Sequence, residues 1–161
     1  MLEARLAGPG DLAFVQAATL AAYSVYLPIM GAMPLPVEAD HAAAIALGQV
    51  WLVRDGQADA GLMVLETAPA HLMIESLVVL PTHQGQGIGR WMLSFTEQHA
   101  RSLGLLELRL YTNAKMSRNI RIYGLAGFTE TDRQPTPHRT DSIRVYMTKH
   151  LDDQAGQSPA A

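Results

Sequence analysis

The spacing of apolar residues along the chain predicts alternating strands and helices. Apolar residues at every second position, bounded by glycine, proline and aspartate, are typical of strands. They predict strands over residues 2–6, 49–54, 58–66, 72–80, 105–111, 128–133 and 143–148. Apolar residues three or four positions apart are typical of amphipathic helices. They predict helices from Asp11 to a break at Pro28, over residues 37–47, from Ile88 to Leu103, and from Ser117 to Ala126, with Asp11 and Ser117 as caps.

The order of these elements, β-α-α-β-β-β-α-β-α-β-β, predicts one mixed sheet. Asp55-Gly56 is a hairpin signal, so the strands around it should be antiparallel. The helix that begins at Ile88 is a crossover, which demands a parallel neighbour. The expected fold class is α/β (α+β), a single domain over residues 1–151 with a mixed, mostly antiparallel central sheet and helices on both faces. Residues 152–161 contain no large apolar residue and are expected to form a disordered tail.

Composition removes several classes of function. The 161 residues carry a net charge of −3, so no basic field is expected to bind nucleic acid or an anionic membrane. We find no signal-peptide pattern and no apolar run of membrane-span length, and therefore expect a cytoplasmic protein. Cysteine is absent, which excludes disulfides, thiolate–metal sites and a cysteine nucleophile. The six histidines are scattered, so no metal site is expected.

The segment after the fourth predicted strand has glycine at alternate positions. The strand of residues 72–80 is apolar on both faces except at Glu75 and Ser76, and Pro81 ends it. The sequence Gln84-Gly85-Gln86-Gly87-Ile88-Gly89 follows and leads into the helix. Glycine permits close approach to the backbone, and the free amides of a helix N-terminus attract anions. The segment therefore predicts a phosphate-binding loop, and a tight turn without a ligand is the alternative.

Two other kinds of phosphate-binding loop do not fit this segment. A Walker loop ends in Gly-Lys-Ser/Thr, whereas Gly89 is followed by Arg90 and Trp91. A dinucleotide-binding turn requires a third glycine at the position of Arg90. The sequence therefore excludes both.

The pattern Gln84-x-x-Gly87-x-Gly89 after a strand resembles motif A of the GNAT family of N-acetyltransferases, whose loop holds the pyrophosphate of acetyl-CoA. A second group of residues is similar to motif B of that family: Tyr111-Thr112-Asn113, Asn119-x-x-x-Tyr123 and Gly127-Phe128. The last strand, from Arg144 to Lys149, resembles that of one bacterial subgroup. Two departures are Gly124 inside the motif B helix and a loop, residues 135–138, that lacks the glycine-containing turn of the subgroup.

The resemblance implies a set of contacts with acetyl-CoA. Backbone groups of Leu77, Val78 and Val79 would pair with the pantetheine arm, and the Val79 amide would face the thioester carbonyl. The pyrophosphate would be held by the amides of Gln84, Gly85, Gln86, Gly87, Ile88, Gly89 and Arg90. The Arg90 side chain either adds charge there or points into solvent. Asn119, and less strongly Asn113, would hydrogen-bond the pantetheine arm; otherwise Asn119 helps to start its helix.

The resemblance also implies how the acetyl group is transferred. Tyr123 would protonate the departing CoA thiolate, although a tyrosine at this spacing otherwise belongs to the core. Glu75 would act as the general base, directly or through water; the alternative is a glutamate paired with a cation or exposed at a strand edge. Without cysteine or a GxSxG motif, direct attack by a primary amine in a ternary complex is the expected mechanism.

The identity of the acceptor is left open by the sequence. A small amine, an amino acid, an antibiotic, and a protein N-terminus or lysine all satisfy the motifs, and another acyl-CoA could replace acetyl-CoA. Tyr23, Tyr26 and Met33 either line an acceptor pocket or pack between helix and sheet. Two rival functions are a non-catalytic acyl-CoA-binding or sensor domain and a nucleotide-binding interaction module. Homodimerisation through strand edges is compatible with the sequence.

Overall fold

The structure is a computed structural model that describes residues 1–31, 35–139 and 141–152. The strands are β1 Leu2–Leu6, β2 Val50–Asp55, β3 Ala58–Thr67, β4 Leu72–Val79, β5 Glu107–Asn113, β6 Thr129–Pro135 and β7 Ile143–His150. The helices are α1 Leu12–Tyr23, α2 Leu27–Met30, α3 Leu35–Glu38, α4 His41–Ala46, α5 Ile88–Ser102 and α6 Ser117–Leu125. Met33 and the predicted tail from residue 153 onward lie outside the described residues.

The seven strands form one mixed, mostly antiparallel sheet in the order β1-β2-β3-β4-β5-β7-β6. The pairs β1–β2, β2–β3, β5–β7 and β6–β7 are antiparallel. Because β7 lies between β5 and β6, the last strand of the chain is internal and β6 is an edge. The predicted fold class is confirmed.

Contacts along the chain divide it into two compact units. Unit 1 comprises Met1–Glu66 and Ile74–Phe95. Unit 2 comprises Thr67–Met73 and the described residues from Thr96 onward.

Unit 1 has helices on both faces of its strands, because successive strand residues point to opposite sides. One face packs against α1 and α4 in a core of Val15, Ala18, Ile45, Val50, Leu52, Leu62 and Val78. On the other face, the Trp51 ring of β2 meets the Phe95 ring of α5 edge-on, with 5.1 Å between centroids. Apolar side chains therefore fix α5, the helix that follows the glycine-rich loop, against the strands.

Unit 2 has its helices on one face of β5 and β7. That face carries the buried side chains of Leu108, Leu110, Val145 and Met147. Lys149, two residues after Met147 on β7, donates to Glu97 of α5 at 3.1 Å and to the Ala126 carbonyl after α6 at 2.9 Å. These contacts hold both helices on the same face.

Three predictions of helix boundaries are wrong. The first helix ends at Tyr23, and Pro28 instead lies in the first turn of α2, where its missing N–H costs little. Residues 37–47 are not one helix, because Asp40 separates α3 from α4 and caps α4 through the Ala43 amide. Ser117 is the first residue of α6 rather than its cap, a position that Met116 occupies.

Asp11 occupies the cap position of α1, but its carboxylate turns back towards β1. It accepts from the Gly8 amide at 2.8 Å and from Arg5 at 2.9 Å instead of from α1. The hydrogen bonds with Arg5 and Gly8 lower the pKa of Asp11 to about 2. The side chain thus stabilises the turn between β1 and α1.

One stretch among the described residues, Pro9–Met30, is long and apolar enough to cross a membrane by length and composition alone. The expectation that no apolar run reaches this length is therefore wrong. The stretch is interrupted by a 3-10 turn at Ser24–Tyr26, and it buries Val15 and Ala18 against the strands of unit 1. In this structure Val15, Ala18 and Thr19 of α1 are buried, and the rest of the stretch is half-buried or exposed.

Candidate functional site

Strand β4 presents a more buried and a less buried face. Leu72, Ile74, Ser76 and Val78 are buried, whereas Met73, Glu75, Leu77 and Val79 are half-buried. The Ser76 hydroxyl lies 3.2 Å from the Tyr23 hydroxyl of α1, and burial raises the pKa of Tyr23 against the effect of this hydrogen bond. Tyr23 therefore packs between helix and strand, as the second of its two predicted roles expects.

Gly61 of β3 is required by the close approach of β4. A Cβ atom at this position would lie 2.0 Å from the Val78 carbonyl oxygen and 2.8 Å from the Met92 side chain of α5. A backbone carbonyl cannot move aside as a flexible side chain can. Gly61 thus sets the position of the β4 backbone at Val78, one of the residues predicted to contact pantetheine.

We call residues 72–90 the glycine-rich segment. After β4 the chain forms a 3-10 turn at Pro81–His83, closed by the His83 amide donating to the Leu80 carbonyl at 2.8 Å. The Gln84 side chain reaches back to the Val79 carbonyl at 3.3 Å, and the Gln86 side chain to the Thr82 carbonyl at 3.4 Å. The two glutamines therefore brace the loop through their side chains, and their backbone N–H groups take no part in these two contacts.

Gly85 and Gly87 adopt backbone conformations that favour glycine. Their φ angles are +78° and +82°, in the left-handed region. Gly89 differs, because it lies inside α5 and does not have a positive φ. Only two of the three glycines are therefore explained by the backbone of the loop itself.

The backbone amides of this loop are available to a ligand. The hydrogen bonds of α5 begin with the Trp91 amide donating to the Gly87 carbonyl at 3.0 Å. Within the part of the chain that the structure describes, the amides from Gly85 to Arg90 have no acceptor. Most of the loop is exposed, and it stands at the positive end of a helix of 15 residues. This arrangement suits an anion such as a pyrophosphate.

The first turn of α5 is fixed by two buried side chains. Ile88 is 2% exposed and Met92 is fully buried, so the helix start cannot shift without disturbing the core. Arg90 is exposed and forms no ion pair with the described residues. Both predicted orientations of Arg90, towards a phosphate or towards solvent, stay open.

Glu75 is half-buried on the same face of β4 as Leu77 and Val79. It interacts with another group of the protein, and neither of its two predicted roles is excluded by this. A partner does not prevent a carboxylate from accepting a proton, and its role as a base stays a prediction.

Tyr123 and Asn119 lie on α6 in unit 2. The Tyr123 ring meets the Phe128 ring edge-on at 6.0 Å between centroids, and the Phe128 amide donates to the Tyr123 carbonyl at 3.0 Å. The closing Gly127-Phe128 pair of motif B therefore holds the tyrosine in place. Both candidate side chains are half-buried and so keep access to solvent. Their catalytic and binding roles stay predictions.

Asn113 has a structural role that accounts for its whole side chain. Its carbonyl oxygen accepts from the Lys115 amide at 2.8 Å, and its NH₂ group donates to the Ser142 hydroxyl at 2.8 Å. The side chain thus shapes the turn after β5 and is already engaged at both ends.

Each unit carries part of the predicted set of site residues. Unit 1 contains Glu75, the Leu77–Val79 backbone and the whole loop from Gln84 to Arg90. Unit 2 contains Asn119 and Tyr123.

Sequence reasoning missed Gly61, although a glycine inside a predicted strand is a recognised sign of close backbone approach. Among the described residues, no group of three or more His, Asp or Glu side chains could hold a metal ion.

The comparisons with known proteins agree with this geometry. Residues 46–130 match the sequence model of the acetyltransferase (GNAT) domain. An IAA acetyltransferase of Azospirillum brasilense is 33% identical over 92 residues, which are 56% of this chain and 59% of that protein. The chain thus spans little more than half the length of this relative.

Solved structures show the same fold. The PaiA N-acetyltransferase of Thermoplasma acidophilum, crystallised in complex with coenzyme A, superposes with a TM-score of 0.77 at 17% identity, covering 94% of this chain and 99% of that one. A GNAT-family acetyltransferase of Listeria monocytogenes gives a TM-score of 0.74 at 17% identity, covering 93% and 95%. The chain belongs to the GNAT family of acetyltransferases.

Proposed function

We propose that the protein is an N-acetyltransferase that transfers the acetyl group of acetyl-CoA to a primary amine. The observation that carries this proposal is the loop from Gln84 to Arg90. In a chain of the GNAT family, this loop follows β4 directly, and at the start of α5 its amides from Gly85 to Arg90 have no acceptor among the described residues. A diphosphate is the part of CoA that such amides recognise.

The β4 backbone supplies the second part of the proposed cosubstrate site. Backbone groups of Leu77, Val78 and Val79 would pair with the pantetheine arm as an added strand does. The Val79 amide would then donate to the thioester carbonyl oxygen, where negative charge develops during attack. Asn119 would add a side-chain contact to the arm. Because backbone groups make most of these contacts, the apolar side chains of β4 remain free to pack.

The transfer itself is proposed to be a direct displacement. The amine nitrogen bonds to the acetyl carbon, and the carbon–sulfur bond breaks to release the CoA thiolate. Glu75, directly or through water, would take one proton of the attacking ammonium, and Tyr123 would give its proton to the thiolate. The second proton, which the nitrogen loses as the amide forms, would restore Tyr123. The chain contains no cysteine, and an acyl-enzyme step is not needed.

The remaining parts of the proposal rest on composition and on relatives. A net charge of −3 supports a cytoplasmic enzyme that binds neither nucleic acid nor an anionic membrane. No metal is needed for this displacement. The proposal also allows a homodimer, because the edge strand β6 is exposed and such an edge can pair with another copy.

Calorimetric titration of the purified protein with acetyl-CoA, ATP and NAD, separately, tests this proposal first. We expect one-to-one binding of acetyl-CoA and much weaker binding of the other two. A screen of primary amines by release of free CoA thiol would follow. Folded protein that does not bind acetyl-CoA would contradict the proposal and reduce the glycine loop to a structural turn.

The same experiments separate the two rival functions. An acyl-CoA sensor would bind acetyl-CoA but release no thiol with any amine. A nucleotide-binding module would prefer ATP or NAD, and acetyl-CoA would not displace them.

A further inference from the structure

Arg144 of β7 lies on the face of the unit 2 strands that is opposite to its helices. Its pairing partners across the sheet are Asn113 on β5 and Gln134 on β6. Side chains alternate along a strand, so Arg144 and Tyr146 point away from the face on which Lys149 contacts α5 and the end of α6. The contacts of Lys149 therefore hold the helices of unit 2 on the face opposite to Arg144.

The guanidinium group of Arg144 is stacked on an aromatic ring. Its central carbon lies 4.0 Å from the centroid of the Tyr111 ring and 5.9 Å from that of the Tyr146 ring. One of its nitrogens donates to the Tyr146 hydroxyl at 3.5 Å, the long limit of a hydrogen bond. We call Arg144, Tyr111 and Tyr146 the arginine cluster. The contact with the ring restrains the guanidinium group, and the Tyr146 hydroxyl is the one acceptor that the described residues offer to its N–H groups.

Three other half-buried arginines are paired with carboxylates. Arg54 pairs with Asp59, Arg101 with Glu97 and Arg109 with Glu107. Arg144 is also half-buried, yet it forms no ion pair with any residue that the structure describes. A partly desolvated cation of this kind costs free energy unless an anion accompanies it.

Among the described residues, the strand neighbours of Arg144 in unit 2 do not supply that anion. Asn113 and Gln134, its neighbours across the sheet, carry neutral amides. The carboxylate on this side of β6 is that of Asp132, which accepts from the Gln134 side chain at 2.6 Å and from the Arg133 amide at 2.8 Å. The guanidinium instead extends towards β5, over Tyr111.

We propose that the arginine cluster binds a carboxylate group. This carboxylate belongs to the acceptor, the molecule whose amine is acetylated. The acceptor would then be a small amino acid rather than a simple amine. This inference rests on the proposed N-acetyltransferase function.

The chemistry of the cluster favours one carboxylate over other anions. A guanidinium whose face is stacked still presents two parallel N–H groups at its edge, which match the two oxygens of a carboxylate. The Tyr146 hydroxyl can donate to the same group. A phosphate dianion would require more positive charge, but Arg109, which faces the same side of β5, is already paired with Glu107. One unpaired cation therefore matches one singly charged acid.

The wild-type protein gives the first test. Thiol release from acetyl-CoA is measured with each of the common L-amino acids and with its carboxamide, which keeps the amine and side chain but removes the charge. The amine of a carboxamide is less basic, so more of it is unprotonated at neutral pH, which works against the proposal. For the best substrate we expect the acid to have a KM lower than the carboxamide by about tenfold or more. Equal or better use of carboxamides would overturn the inference.

Variants of two arginines on the same side of unit 2 give the second test. Arg144→Gln should raise the KM of the acid about tenfold or more and leave that of the carboxamide within about twofold. Arg144→Lys keeps the charge without the paired N–H groups and should lie in between. Arg109→Gln, the matched control, should leave the preference for the acid unchanged. A parallel loss with both substrates would assign Arg144 a purely structural role and overturn the inference.

Failure of the inference can be distinguished from failure of the proposed function. Acetyl-CoA binding with thiol release from simple amines, without preference for acids, contradicts only the inference. Absence of acetyl-CoA binding contradicts the proposed function, and the inference with it. If Arg144→Gln does not fold, as judged by circular dichroism, the comparison of acids with carboxamides in the wild-type protein decides.

Discussion

The loop from Gly85 to Gly89 in unit 1 and the candidate site residues of unit 2 use different chemical groups for their proposed tasks. In the loop, the groups available to a ligand are backbone amides, and the side chains of Ile88 and Met92 only anchor the helix start. In unit 2 the candidate groups are side chains, namely Tyr123, Asn119 and Arg144. Backbone donors are present whatever the side chain, whereas a side-chain group is lost with one substitution.

This difference determines which substitutions are informative in each region. In the glycine-rich segment, adding a Cβ atom changes the space around the backbone. In unit 2, removing a single polar atom changes the chemistry and leaves the backbone as it is.

Gly61→Ala should have the largest effect, because it places a Cβ atom against the backbone of β4. The carbonyl of Val78 would lie 2.0 Å away, so one of the two strands must move. We expect a loss of stability of about 3 kcal/mol in urea unfolding. Gly124→Ala on α6 is the matched control: it meets no atom within 4 Å and should stabilise the protein by about 1 kcal/mol. Equal stability of the two variants would contradict the assigned role of Gly61.

Tyr123→Phe should affect catalysis and leave binding unchanged. It removes only the hydroxyl group, and the ring contact with Phe128 is retained. If Tyr123 protonates the thiolate, kcat should fall about a hundredfold, while the Kd for acetyl-CoA stays within about twofold. The two quantities are measured by thiol release and by calorimetry. An unchanged kcat would return Tyr123 to the role of a packing residue.

Local patterns in the sequence account for much of the fold and for part of the site. The seven strands and the helices α5 and α6 follow from apolar spacing, and the loop from Gln84 to Gly89 follows from the glycines themselves. Local signals also failed in places. Pro28 was expected to end a helix, but a proline is equally suited to the first turn of the next one.

The missing part of the site depends on neighbours that are distant in the sequence. The steric need for Gly61 arises from Val78, and the isolation of Arg144 from carboxylates arises from the register of β5, β7 and β6. No local pattern contains that information. The roles of Glu75, Asn119 and Tyr123 came from family resemblance, and each remains to be tested by substitution.

Gly89→Ala separates a ligand-binding role of the loop from a structural one. In the free protein, a Cβ atom at Gly89 meets nothing within 4 Å, and its φ is not positive. The substitution should therefore stabilise α5 by about 0.5 kcal/mol. If a diphosphate approaches this backbone, the Kd for acetyl-CoA should nevertheless rise about tenfold in calorimetry.

Gly87→Ala is the contrasting variant for this test. Its φ of +82° makes any side chain unfavourable, so stability should fall by about 1 kcal/mol whether or not a ligand binds. A Gly89→Ala variant that binds acetyl-CoA as well as the wild type would show that the third glycine is not needed for close approach.

Lys149→Met should have the smallest effect. The pH dependence of this loss of stability reports on the charged contacts of unit 2. Burial alone would raise the pKa of Glu97, but the hydrogen bonds and charges of Lys149 and Arg101 outweigh it and hold the pKa below its usual value. The stabilisation is therefore fully present above the pKa of Glu97 in the unfolded chain and is lost as the pH falls through the lower pKa of the folded state. At neutral pH we expect the substitution to cost about 1 kcal/mol.

That cost should shrink as the pH falls through the lowered pKa of Glu97, because Glu97 then becomes protonated in both proteins. Urea unfolding at several pH values measures it. Arg133→Gln removes an exposed pair with Glu130 on the edge strand β6 and should hardly change the urea midpoint at any of these pH values. A Lys149→Met cost that does not vary with pH would assign the stabilisation to the bond between Lys149 and the Ala126 carbonyl rather than to the ion pair.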